Sequence, residues 1–263
     1  MPGLIGAIER TPDARIGGVF EAIAAPMKRG GRMKVESLVD QRGRWALGRV
    51  HLGTFEPESQ LTEGSKLQAL FHGDLHNEAE LRRSLGEEAL PATGSRSGAA
   101  SVVLSLYRKH GPGFASHLRG AFLVAVLDEE AGLLILANDI LGSFPLYHLR
   151  GPTRFTFASE LKSVLKDPAA KRALAPRAVA DYLHFGFLFG EKTLAEGVQL
   201  LPAASTLVYH WEDGSVEVSV YRRVADFFSP WEGTRESFQA RLTDVFSSAV
   251  ARSSEGPHRF LLS

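Results

Sequence analysis

Histidine and aspartate gather in two short stretches of this chain. One is Leu47-Gly48-Arg49-Val50-His51-Leu52 and the other is Phe71-His72-Gly73-Asp74-Leu75-His76-Asn77. Imidazole changes charge near neutral pH, and beside a carboxylate it can hold a divalent metal or an anion. The blander reading of His51, His72, His76 and Asp74 is a set of hydrogen-bonded pocket fillers, and no metal site is expected. Lys28, Arg29, Arg32 and Lys34 form a basic cluster that could attract an acidic ligand, although a solvated loop is the simpler account. What is missing limits the chemistry further. The chain has no cysteine, which removes a thiolate nucleophile, thiolate-bound zinc and any disulfide. It begins Met1-Pro2-Gly3-Leu4. Methionine removal before proline is common and would leave Pro2 at the mature N-terminus. A terminal proline amine can act as base or nucleophile, but its ring carries no nucleophilic side chain, so Pro2 is read as a tolerated terminus.

These residues need elements to carry them. Leu4, Ile5, Ala7 and Ile8 predict a buried strand over Gly3 to Ile8. Val19 to Met27 reads as helix, and residues 28–44 read mostly as loop. Trp45 to Leu52 and Leu67 to Phe71 read as strands. Asn77 is placed to cap a helix running to Leu85. Proline, glycine and serine crowd 91–98, a loop, before a helix over Ser101 to Lys109. Ala121 to Leu127, Leu133 to Ala137, Phe144 to His148 and Phe155 to Ala158 are short apolar runs parted by turns, the pattern of antiparallel sheets packed face to face. A helix over Ala178 to Phe185 follows Pro176. Thr206 to Trp211 and Val216 to Val220 flank Asp213-Gly214 as a hairpin.

After Tyr221 the pattern changes. Pro230 and Gly233 mark a linker over 223–233. Thr234 caps a predicted helix reaching about Arg252, with Phe238, Leu242, Val245, Phe246 and Ala249 at helical spacing. His258 to Ser263 begins a strand. An apolar face of this kind needs a covering partner. The expectation is a piece of a longer protein, or a missing part supplied by another chain.

Bulk properties exclude other classes. The 263 residues carry thirty basic and thirty acidic side chains, with 44% hydrophobic and 23% charged residues. That balance offers no electrostatic reason for nucleic acid or a membrane surface as partner. No apolar run is long enough to span a bilayer and no signal peptide precedes the first strand, so a cytoplasmic location is expected.

The order Leu118-Arg119-Gly120-Ala121-Phe122, Asp139-Ile140-Leu141-Gly142, Pro145-Leu146-Tyr147 and Phe157-Ala158-Ser159-Glu160-Leu161-Lys162 resembles the N-terminal glutaminase half of the asparagine synthetase family. The two stretches quoted first resemble that family's Leu-Gly-His-Arg-Arg-Leu strand and Asn-Gly-Glu-Ile-Tyr-Asn loop. Leu200-Leu201-Pro202 and Tyr221 match weaker features. The resemblance implies an α/β (α+β) fold: a four-layer αββα sandwich of two antiparallel sheets flanked by helices, over 1–222. Residues 234–263 would then start an ATP-pyrophosphatase-type synthetase domain. In the family that strand runs into a Ser-Gly-Gly-x-Asp-Ser loop gripping pyrophosphate, of which Ser263 would be the edge.

The same resemblance implies a dead site. The family's nucleophile is an N-terminal cysteine, and Pro2 stands there. Its oxyanion is held by an asparagine side chain and a glycine N–H, where this chain has His72 and Gly73. Its carboxylate-gripping arginine aligns with His51, its loop glutamate with Asp74, and an aspartate that binds the α-amine with Ala99. The family's His-Arg-Gly-Pro-Asp stretch appears only as Lys28-Arg29-Gly30-Gly31-Arg32. The family's members without the cysteine include β-lactam synthetases and lasso peptide cyclases, in which an adenylated carboxylate is attacked by an amine already in the substrate. The expectation is therefore an inactive glutaminase-like scaffold of an ATP-dependent amide ligase. ATP and Mg would be bound by the longer parent and not by this chain. Its partners would be the synthetase domain and a peptide or small-molecule carboxylate. The competing readings are an asparagine synthetase relative fed by free ammonia, and a non-catalytic interaction or ligand-sensing module.

Overall fold

Strands with apolar residues on both faces build two antiparallel sheets, one stacked on the other. The computed structural model describes residues 2–28, 31–53, 66–86 and 98–253. The chain divides into two compact units, Met1–Arg222 and Arg223–Ser263.

The first sheet holds β1 (Gly3–Glu9), β2 (Lys34–Val39), β3 (Trp45–His51), β7 (Tyr147–Arg150), β8 (Arg154–Ala158) and β9 (Val198–Leu200), in the order β2-β3-β1-β8-β7-β9. The second holds β4 (Leu67–Leu75), β5 (Gly120–Asp128), β6 (Leu133–Asn138), β10 (Ser205–His210) and β11 (Val216–Val220), in the order β11-β10-β6-β5-β4. Side chains alternate between faces along each strand, so each sheet feeds two cores. Leu4, Ile8, Trp45 and Leu47 of the first sheet meet Leu70, Leu123, Ala125 and Leu134 of the second in the central core. Ile5, Ala7, Ala46 and Val50 point the other way, against α1 (Ile16–Ala24) and Val164 of α4 (Leu161–Val164). Ala69, Phe71, Val124 and Val126 pack against α2 (Glu78–Leu85) and α3 (Ala99–His110). The layers are thus helix, sheet, sheet, helix.

Several elements differ from the sequence expectation. Within residues 28–44, read mostly as loop, Lys34–Val39 form β2, which pairs with β3 from Lys34↔His51 to Val39↔Ala46. It is the edge strand, half exposed along its length, and so lacks a run of apolar residues. β4 continues four residues past Phe71, through His72, Gly73 and Asp74, pairing with β5 as far as Leu75↔Gly120. β7 starts at Tyr147, not Phe144, and β9 and α4 were not foreseen. Asn77 stands at the N-cap of α2 without capping it. Its amide is used over a longer range: Nδ2 donates to the His117 carbonyl at 3.0 Å and Oδ1 accepts from Arg119 N–H at 3.0 Å.

α5 (Pro176–Phe185) begins at proline and ends at Gly186 in the left-handed conformation. In the second unit, α6 spans Arg235–Ser253. Thr234 Oγ1 accepts from Ser237 N–H at 3.2 Å, the expected N-cap. Phe238, Leu242, Val245 and Phe246 are exposed along α6. No described helix is long and apolar enough to cross a membrane. Arg29 of the basic cluster, the loop at 91–97, the strand expected at 258–263 and Ser263 lie outside the described residues.

Candidate functional site

The head of β1 lies in the middle of the first sheet, between β3 and β8, and Pro2 stands half-buried just before it. Ser159 pins this end. Its Oγ accepts from Leu4 N–H at 3.0 Å and lies 3.4 Å from the Leu4 carbonyl. Gly3 makes room for that contact. Its φ is +153°, and a Cβ there would sit 2.2 Å from Ser159 Oγ. Ser159 is therefore occupied by backbone and does not stand in for the absent thiol.

Beside this terminus, β3 turns alternate residues toward the facing sheet. Trp45 and Leu47 enter the central core, and by the same alternation Arg49 and His51 share that face. The Arg49 side chain is 0% exposed, with Nε 3.4 Å from Glu36 Oε2. Glu36 lies directly opposite Arg49 on β2. Its other oxygen, Oε1, lies 3.4 Å from His51 Nε2. A single carboxylate thus bridges a guanidinium and an imidazole.

From the second sheet, β4 brings His72, two residues past Leu70 of the central core. The ring is buried and packs edge-on against Phe144, with centroids 4.8 Å apart. Neither of its nitrogens has a hydrogen-bond partner among the described residues. Burial, with smaller contributions from Arg49 and His51, pushes its pKa down to about 4. The same causes lower His51, burial first and Arg49 next, with Glu36 opposing them. Both rings are accordingly neutral at neutral pH.

Gly73 follows in a conformation that favours glycine, φ +111°. A Cβ would fall 2.1 Å from the Ala121 carbonyl oxygen and 2.9 Å from Phe144 Cε2. The turn that leads into Phe144 is held by Asp139. The Asp139 carboxylate accepts from the N–H groups of Phe122 (3.1 Å), Leu141 (2.9 Å) and Ser143 (3.1 Å) and from Ser143 Oγ (3.0 Å). Asp139 is thus a buried residue of the turn that follows β6.

The structure therefore gathers His51, His72, Arg49 and Glu36, with Pro2 and Gly73 on the neighbouring strand ends. Asp74 and His76 are exposed. Ala99 opens α3 and packs in the core between that helix and the second sheet. No three His, Asp or Glu residues are grouped to hold a metal among the described residues. Arg49 and Glu36 were not foreseen as site residues. The signal for Arg49 is its spacing of two from His51, which puts both on one strand face. Glu36 lies on the edge strand that was read as loop.

The chemistry open to this group is narrow. It has one guanidinium, already facing a carboxylate, and two neutral imidazoles. It has no thiol, and the nearby Ser159 hydroxyl is engaged by Leu4.

A profile of the glutamine amidotransferase domain family matches residues 1–222. The chain belongs to that family. Asparagine synthetase 3 of Bacillus subtilis is 28% identical over 134 residues, 51% of this chain and 22% of that protein. Asparagine synthetase 1 of the same organism is 27% identical over 183 residues, 69% of this chain and 28% of the relative. The chain thus spans about a quarter of the length of these curated relatives. Glutamine phosphoribosylpyrophosphate amidotransferase of B. subtilis has a similar fold, with TM-score 0.55 at 15% identity over 83% of this chain and 49% of that one. In this glutamine amidotransferase domain the two stacked sheets are the shared architecture.

Proposed function

We propose that this glutamine amidotransferase domain does not hydrolyse glutamine and serves as the scaffold of an ATP-dependent amide ligase related to asparagine synthetases. The observation that carries the reading is Pro2 at the head of β1 in a chain without cysteine. Losing a nucleophile lowers turnover by a factor on the order of a million. Arg49 supports the same reading. Its buried side chain, facing Glu36, fills space beside the residues that align with the family's glutamine-binding positions. His51 in place of an arginine offers no permanently charged fork for a substrate carboxylate.

The ligase would couple a carboxylate to an amine through an acyl-adenylate, as the family's cysteine-free cyclases do. ATP and its magnesium are assigned to the partner synthetase domain. Apolar side chains exposed around the end of α5, Leu183, Phe185, Phe187 and Phe189, supply a surface that such a partner would cover. The relatives are named as glutamine-hydrolysing asparagine synthetases; with the cysteine missing, a second reading is an asparagine synthetase relative fed by free ammonia.

The test is ATP–pyrophosphate exchange by a longer protein containing this domain, run with aspartate and with peptide carboxylates. Exchange driven by a carboxylate and indifferent to glutamine is expected. Dependence on aspartate alone selects the ammonia-fed reading, and exchange or product formation that requires glutamine contradicts the proposal.

A further inference from the structure

The end of the sandwich away from Pro2 carries a second polar concavity. β1 runs seven residues from Gly3 to Glu9, which at about 3.3 Å per residue separates the two ends by roughly 23 Å. There a cleft of about 530 Å³ is lined in part by Arg10, Arg150, Lys171, Glu196, Asp213 and Gly214. That volume lies within the range of sites that enclose small molecules.

The charges in the cleft do not cancel. Lys171 Nζ lies 2.7 Å from Glu196 Oε1, so these two neutralise each other. Asp213 is turned toward its own hairpin, where Oδ1 accepts from Ser215 N–H at 2.7 Å. Against the cleft's single remaining carboxylate stand two guanidiniums, Arg10 and Arg150. Arg10 Nη1 donates to the Pro152 carbonyl at 3.4 Å and Nη2 to the Glu212 carbonyl at 3.2 Å. Neutral carbonyls orient the fork without neutralising it. Gly214, at φ +72°, lets the β10–β11 turn pass against that side chain; a Cβ there would lie 3.2 Å from Arg10 Cδ and 3.3 Å from Nε. Arg150 ends β7 and is exposed, and its side chain has no hydrogen bond or ion pair with the described residues. Both arginines line this cleft; their charges, together with the opposing ones of Glu9 and Asp213, reach the hydroxyl of Tyr209, whose pKa burial raises most.

We propose that this cleft binds a small oxyanion carrying at least two negative charges, a phosphate or polycarboxylate group gripped by Arg10 and Arg150. The planar guanidinium fork matches such oxygens two at a time, and the pre-oriented Arg10 loses little freedom on binding. The site is remote from the head of β1 and does not depend on the fate of the glutaminase reaction.

The experiment is isothermal titration of the whole chain at low salt with pyrophosphate and, separately, with citrate. The two arms separate phosphate from carboxylate chemistry. Saturable one-to-one binding of at least one is expected, weakened by about tenfold or more in Arg150→Ala and Arg10→Ala. Arg108→Ala, in a different cleft, should leave it unchanged. Arg150 is exposed and leaves folding intact, so it keeps the test valid if Arg10→Ala unfolds the protein. No saturable binding of either anion at low millimolar concentration, or equal affinity of wild type and Arg150→Ala, overturns the proposal.

Discussion

Two buried histidines link this protein's stability to pH. His72 lies between the sheets, and His148 of β7 stacks on Phe155 with ring centroids 5.7 Å apart. Burial lowers both from 6.5 to about 4. As pH falls the unfolded chain takes up these protons first. The stability that each neutral ring preserves is complete above pH 6.5. It is lost progressively as pH falls toward about 4, by roughly 3 kcal/mol per ring. Urea denaturation at pH 7, 5.5 and 4 should show that loss, and His148→Phe should lose less than wild type over the interval. Parallel pH profiles for the two would show that His148 is not the group that titrates. At this scale the sequence revealed only part of the site. His51 and His72 stood out through their motifs. Arg49 did not, because an arginine in a strand reads as surface until a carboxylate such as Glu36 is known to face it across the sheet.

Among the elements, β1 and β8 are tied to the segment after α4 by a buried charge cluster. Arg154 Nη2 lies 2.5 Å from Glu9 Oε1, and Nη1 lies 3.0 Å from Asp167 Oδ1. Asp167 also accepts from Thr156 Oγ1 and, at 2.8 Å, from Ala169 N–H. Burial already raises the pKa of Glu9. Arg154→Met would leave two buried carboxylates without their cation, a change that costs about 3–5 kcal/mol. Chemical denaturation checks this, and a loss below about 1 kcal/mol, the scale of surface pairs, would contradict it. Element by element, legibility followed burial. β1, β5 and β6 are continuous apolar runs, and the β10–β11 hairpin is announced by Asp213-Gly214. β2 was missed because an edge strand half open to solvent needs no apolar pattern. The end of β4 was missed because His72-Gly73-Asp74 is polar; what holds it in the sheet is the close approach of Gly73 to Ala121.

On the scale of the whole molecule, a glutamine amidotransferase architecture of two sheets between helices carries His51, His72, Arg49 and Glu36 beside Pro2 at the head of β1; in the proposed function Pro2, His51 and His72 take the places of the family's nucleophile, carboxylate grip and oxyanion donor. The resemblance was legible from motif order, since turns and glycines keep their spacing when a pocket changes. The ion pair beside the pocket was not, since it depends on β2–β3 pairing. Hydrolysis of L-glutamine by the purified chain, followed as ammonia released against time, tests the account most directly. The expected rate is indistinguishable from that of a protein-free blank at every glutamine concentration. Ammonia release that is proportional to protein and saturates with glutamine would contradict it.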